Sequence, residues 1–81
     1  MMNVKIKLFG IAKEIVNASE FDLVLAAPYT VAVLRNEVMA KYPSFGDLRS
    51  VMIAVNSEYA SNELKIAATD EIALIPPVSG G

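Results

Sequence analysis

Val4, Ile6 and Leu8 alternate with Lys5 and Lys7, a period of two that predicts a strand with one buried face. Gly10 interrupts the pattern, and IAKEIVN, residues 11–17, has room for a short helical turn before Asn17, Ala18 and Ser19 break it. Phe21, Leu23 and Leu25 alternate with Glu20 and Asp22, which predicts a second strand running antiparallel to the first. After Pro28 the period changes: Thr30 is suited to an N-cap, and Val31, Leu34, Val38 and Tyr42 recur at three- and four-residue spacing, predicting one amphipathic helix that ends before Pro43. Arg35, Glu37 and Lys41 then lie mostly toward water, with Met39 and Tyr42 in the core or at its margin.

SFGDLRS, residues 44–50, reads as a loop anchored by Phe45 and Leu48. Val51, Ile53 and Val55 alternate with Met52 and Ala54 to predict a third strand, and Asn56-Ser57 is a turn into a short fourth strand around Tyr59. Leu64 and Ile66 are expected to plug the core, Thr69-Asp70-Glu71 to form a polar turn, and the apolar run IALI, residues 72–75, to form a central strand. The order strand, strand, helix, strand, short strand, strand matches the α+β arrangement called β-grasp, or ubiquitin-like. That fold is a mixed sheet of four to five strands with one main helix packed on one face, its first and last strands parallel at the centre. The expected division is a β-grasp domain over residues 1–75 and an extended C-terminal tail over residues 76–81.

Composition narrows what such a domain can do. With 81 residues, 54% of them hydrophobic, the chain is one folded domain rather than a disordered one. It has no Cys and no His, which removes a disulfide framework, a thiol nucleophile, the usual neutral-pH base and the commonest zinc ligands; no metal site is expected. Lys5 and Lys7 interrupt any apolar run at the start, so neither a secretory signal nor a membrane span is expected, and a cytoplasmic location is. A net charge of -2 with no basic stripe argues against nucleic acid as a partner.

Side-chain chemistry is sparse. Asp70-Glu71 is the adjacent carboxylate pair, but strand neighbours point to opposite sides, so it reads as a solvated turn rather than an acid-base pair. Glu14, Glu58 and Glu63 read as surface charge, and no P-loop, GxGxxG, HExxH or EF-hand pattern is present. What remains is the end, IPPVSGG. Pro76 and Pro77 donate no backbone hydrogen bond, so they weaken sheet pairing after Ile75 and direct the chain outward. Six residues at about 3.1 Å each reach on the order of 18 Å. Val78 offers an apolar contact and Ser79 a hydroxyl, while Gly80 and Gly81 present no side chain, so a narrow channel could admit the thread and receive its carboxylate. A frayed end without a role is the alternative.

On LFG and AKEIV near the start, the helix opening after Thr30, AVN at 54–56, Asp70-Glu71 before the last strand and the tail PPVSGG, the chain resembles the small subunits of molybdopterin synthase, ubiquitin-like sulfur carriers of molybdenum cofactor biosynthesis. Pro76, Pro77, Val78, Ser79, Gly80 and Gly81 match the family's tail residue by residue. Thr69 stands where that family's turn usually has glycine, and Leu74-Ile75 where aromatics are common. The resemblance implies that a ubiquitin-activating-like adenylyltransferase, using ATP, adenylates the Gly81 carboxylate, and that sulfur displaces AMP to leave a thiocarboxylate. The tail then enters the large subunit of molybdopterin synthase and gives sulfur to the cyclic pyranopterin precursor to form the dithiolene, within a heterotetramer. No cofactor is bound by the carrier itself. Phe9, Tyr59 and Ile75, with Lys13 as a charged neighbour, are the candidate partner interface; a core position is the alternative for the apolar ones. A thiamine-pathway sulfur carrier is one rival, and a ubiquitin-like modifier or binding module another.

Overall fold

The computed structural model describes residues 1–47 and 51–76. In chain order the elements are β1 (Met2–Leu8), α1 (Ile11–Val16), β2 (Glu20–Leu25), α2 (Val31–Lys41), a 3-10 turn (Pro43–Asp47), β3 (Met52–Val55), β4 (Glu58–Tyr59) and β5 (Ile72–Ile75). The strands form one sheet in the order β2-β1-β5-β3-β4. β1 and β5 are parallel at its centre and the other pairs are antiparallel. This is the β-grasp arrangement that the pattern of periods predicts.

Alternation sorts the side chains between two faces. Val4, Ile6 and Leu8 of β1, Leu23 and Leu25 of β2, Ile53 and Val55 of β3 and Ile72 and Leu74 of β5 are buried in one cluster with Val31, Leu34 and Val38 of α2. Each such fully buried aliphatic side chain contributes roughly 1.5–3 kcal/mol. Phe45 is buried from the 3-10 turn, and Tyr42 sits edge-on to both Phe21 and Phe45, with centroids 5.1 and 6.1 Å away. Met39 and Tyr42 are half-buried at the margin, as their spacing predicts. Leu48, expected as a second loop anchor, lies outside the described residues.

Two expectations need correction. Leu64 does not plug the core: it is 42% exposed, whereas Ile66 is buried. The Leu64 contribution is made by its backbone. Its carbonyl accepts from the Val31 N–H (3.0 Å), the Asn62 carbonyl from the Ala32 N–H (3.0 Å), and Thr30 Oγ1 from the Val33 N–H (3.3 Å). All three leading N–H groups of α2 are thereby satisfied, so the 62–64 segment is held by polar bonds and its side chains are free to face water. Arg35 does not simply face water either, since its Nη1 donates to the Val51 carbonyl at 2.6 Å, tying α2 to the start of β3. No helix among the described residues is long and apolar enough to cross a membrane.

Candidate functional site

The face of the sheet opposite α2 is where strand register brings separated residues together. Glu20, Lys7, Ala73, Ala54 and Tyr59 are successive register partners, one from each strand. Ile75 pairs with Met52 in the next outward-facing row. The β1–β2 half of this face is charged, with Lys5 bonded to Glu20 at 3.1 Å, and the β5–β3–β4 half is apolar.

On the apolar half lies a concavity of about 320 Å³. Ala54 and Ala73 are short enough to form its floor, Phe9, Tyr59 and Ile75 its apolar walls, and Lys7, Ser57 and Glu71 its polar rim. Phe9 is 49% and Tyr59 67% exposed, so neither belongs to the core. Three of the four residues expected at an interface thus share one depression. Lys13 does not: it is exposed on α1 and is not among the lining residues. Ala54, Ala73, Lys7 and Glu71 were not legible as site residues, because a small or charged residue acquires this role only through cross-strand register.

The rim is electrostatically closed on itself. Lys7 Nζ donates to Glu71 Oε2 at 2.6 Å; this bond and the charge behind it raise the Lys7 pKa and lower that of Glu71. The Asp70 carboxyl is held below its ordinary value by the Ala67 N–H and the Asn56 amide. Asn56 also accepts from the Glu71 N–H at 2.9 Å, so the turn ahead of β5 is bonded to the turn after β3. Asp70 and Glu71 therefore serve different partners and do not form an acid-base pair. With its lysine and carboxylate paired to each other and its walls apolar, the concavity is suited to docking rather than turnover.

The tail begins beside this face. Pro76 follows Ile75 directly and is buried, its Cγ 3.4 Å from the place a Cβ on Gly10 would occupy. It is thus part of the folded body rather than the first projecting residue. Pro77, Val78, Ser79, Gly80 and Gly81 lie outside the described residues.

Comparison with known proteins agrees with this geometry. A model of the ThiS family matches residues 6–81. Over 81 residues the chain is 33% identical to the molybdopterin synthase sulfur carrier subunit of Arabidopsis thaliana, covering 99% of this chain and 84% of that one. Among solved structures, SAMP1 from Haloferax volcanii superposes with a TM-score of 0.82 at 25% identity, covering 98% of this chain and 99% of that one. The putative molybdopterin converting factor, subunit 1, from Pyrococcus furiosus superposes with a TM-score of 0.80 at 27% identity, covering 96% of this chain and 100% of its own.

Proposed function

This chain belongs to the ThiS family, and from that premise we propose that it is the sulfur-carrier subunit of a molybdopterin synthase, with the Gly81 carboxylate as its reactive group. The observation that carries the reading is an exposed apolar concavity, walled by Phe9, Tyr59 and Ile75, immediately ahead of PPVSGG. The full-length likeness to a carrier subunit from Arabidopsis thaliana supports it.

In this reading the concavity docks first on an adenylylating enzyme. A Gly81 carboxylate oxygen attacks the α-phosphorus of ATP and pyrophosphate leaves. Hydrosulfide then attacks the acyl carbon of the mixed anhydride and AMP departs, leaving a thiocarboxylate. A carboxylate is a poor acyl donor and the anhydride a good one, while the thiocarboxylate is a soft nucleophile. With no Cys in the chain, the terminus is the position able to hold the sulfur. The same face then docks on the large synthase subunit, which receives the tail and binds the cyclic pyranopterin precursor, in an assembly carrying one small subunit at each end of a large-subunit dimer.

The test is intact mass spectrometry after incubation with the host's activating enzyme, ATP and sulfide. A species with one sulfur in place of one oxygen at Gly81 is expected, and that species should convert the pyranopterin precursor when the large subunit is added. Failure to acquire sulfur would reject the reading. The likeness to SAMP1, a small archaeal modifier protein, supports a second reading as a protein modifier. An isopeptide-linked ladder on target lysines, without pyranopterin conversion, would favour it over the carrier.

A further inference from the structure

β1 and β5 leave the sheet side by side: Leu8↔Leu74 is their last register pair, so Phe9-Gly10 and Ile75-Pro76 emerge next to each other. Gly10 has φ 58° and ψ -137°, and the Phe9 carbonyl accepts from the Ala12 N–H at 3.1 Å. Those are the marks of a type II′ turn with glycine at its first central position. An L side chain at Gly10 would strain that turn because of its positive φ, while its Cβ would meet Pro76 Cγ at 3.4 Å, ordinary van der Waals contact, which shows how closely the turn and the proline ring approach. Pro76 in turn is buried and brings a fixed φ.

We propose that the Phe9-Gly10 turn is a seat for Pro76 that sets the direction in which the chain leaves the body, making Gly10 and Pro76 positioning residues for the chemistry at Gly81. The inference rests on the reading of Gly81 as the reacting group, and it assigns the seat a task separate from the docking walls. The leverage is geometric. Five residues beyond Pro76 span at most about 17 Å, so a tilt of about 20° at the root shifts the last residue's position by at most about 6 Å, against the about 3–3.5 Å within which reacting atoms must meet. Rigidity at the root lowers the ordering entropy that remains when the thread is threaded.

Two variants address the seat: Gly10→Ala, which strains the turn that forms it, and Pro76→Ala, which removes the ring. Neither substitutes Phe9, Tyr59 or Ile75. In sulfur loading by the activating enzyme with ATP and sulfide, each is expected to lower the maximal rate about tenfold with the half-saturating carrier concentration within about twofold of wild type. The double variant should be no slower than the slower single one, because both act on the same Gly10–Pro76 seat. Backbone-amide relaxation of Val78 and Ser79 in the free protein reads the same seat without a partner, and faster motion is expected in both variants. Wild-type rates and relaxation in folded variants, a raised half-saturating concentration at unchanged maximal rate, or losses that multiply in the double variant would each overturn the proposal. If Gly10→Ala does not fold, Pro76→Ala decides alone on rate and relaxation. A wild type that never acquires sulfur sinks the functional reading and, with it, the seat's catalytic task; a wild type that does, matched by both variants, overturns the seat alone.

Discussion

Asp70 shows how a residue that looks like ordinary surface charge becomes structural. Its two carboxyl oxygens accept from the Ala67 N–H at 2.8 Å and the Asn56 amide at 3.0 Å, and these bonds lower its pKa. The folded state therefore binds fewer protons than the unfolded one in the acid range. The stability from this site is complete above the ordinary Asp value and is lost as pH falls through the depressed folded value. Asp70→Asn keeps the shape but loses one acceptor, so we expect about 1 kcal/mol less stability at neutral pH and a shallower acid limb in urea midpoints measured against pH. Glu71, lowered by Lys7, keeps part of that limb in the variant; an unaltered limb would show that Asp70 is not linked to folding. None of this could be read from Thr69-Asp70-Glu71 alone, since the partner amide lies 14 residues away. Leu64 teaches the same lesson in reverse: hydropathy describes its side chain, but its carbonyl is what the fold uses.

At the scale of elements the chain is far more legible, because period is a local property. The strand over residues 72–75 and the helix after Thr30 were readable directly, and Val4, Ile6 and Leu8 bury as their alternation requires. The β3–β4 connection was readable as a turn at Asn56-Ser57, but its strain was not. Asn56 has φ 53° and Ser57 φ 71°, the two positive values that a two-residue type I′ hairpin demands. Asn56 is suited to the left-handed region and is held there by Asp70 and Glu71. Ser57 is not a favoured residue at the second position, where glycine avoids the Cβ clash. Ser57→Gly should therefore raise stability by about 0.5 kcal/mol, the relieved strain exceeding the added unfolded-state entropy, and thermal unfolding would register it. A lower midpoint would mean that the serine side chain contributes more than its backbone strain costs.

Across the whole molecule, the sheet separates two tasks: one face carries the core and α2, the other carries the concavity. Phe9, Tyr59 and Ile75, the apolar interface candidates of the sequence, line one concavity, yet its depth depends on Ala54 and Ala73 meeting across β3 and β5, which only the strand order supplies. In the proposed cycle two successive partners read the same small surface, so substitutions there should act on both. Tyr59→Ala removes an exposed wall and is expected to change folding stability by no more than about 0.5 kcal/mol. It should weaken binding to the activating enzyme and to the large subunit by about 2 kcal/mol each, the scale of a central aromatic anchor. Ala73→Leu tests the same surface by addition, since filling the floor excludes a partner side chain without deleting a contact. Val24→Ala, at an exposed position on the distant edge strand β2, should leave both affinities unchanged. Titration calorimetry with each partner separates the outcomes: parallel losses for Tyr59→Ala and Ala73→Leu establish one shared docking face, whereas a loss with one partner only would require a second face for the other.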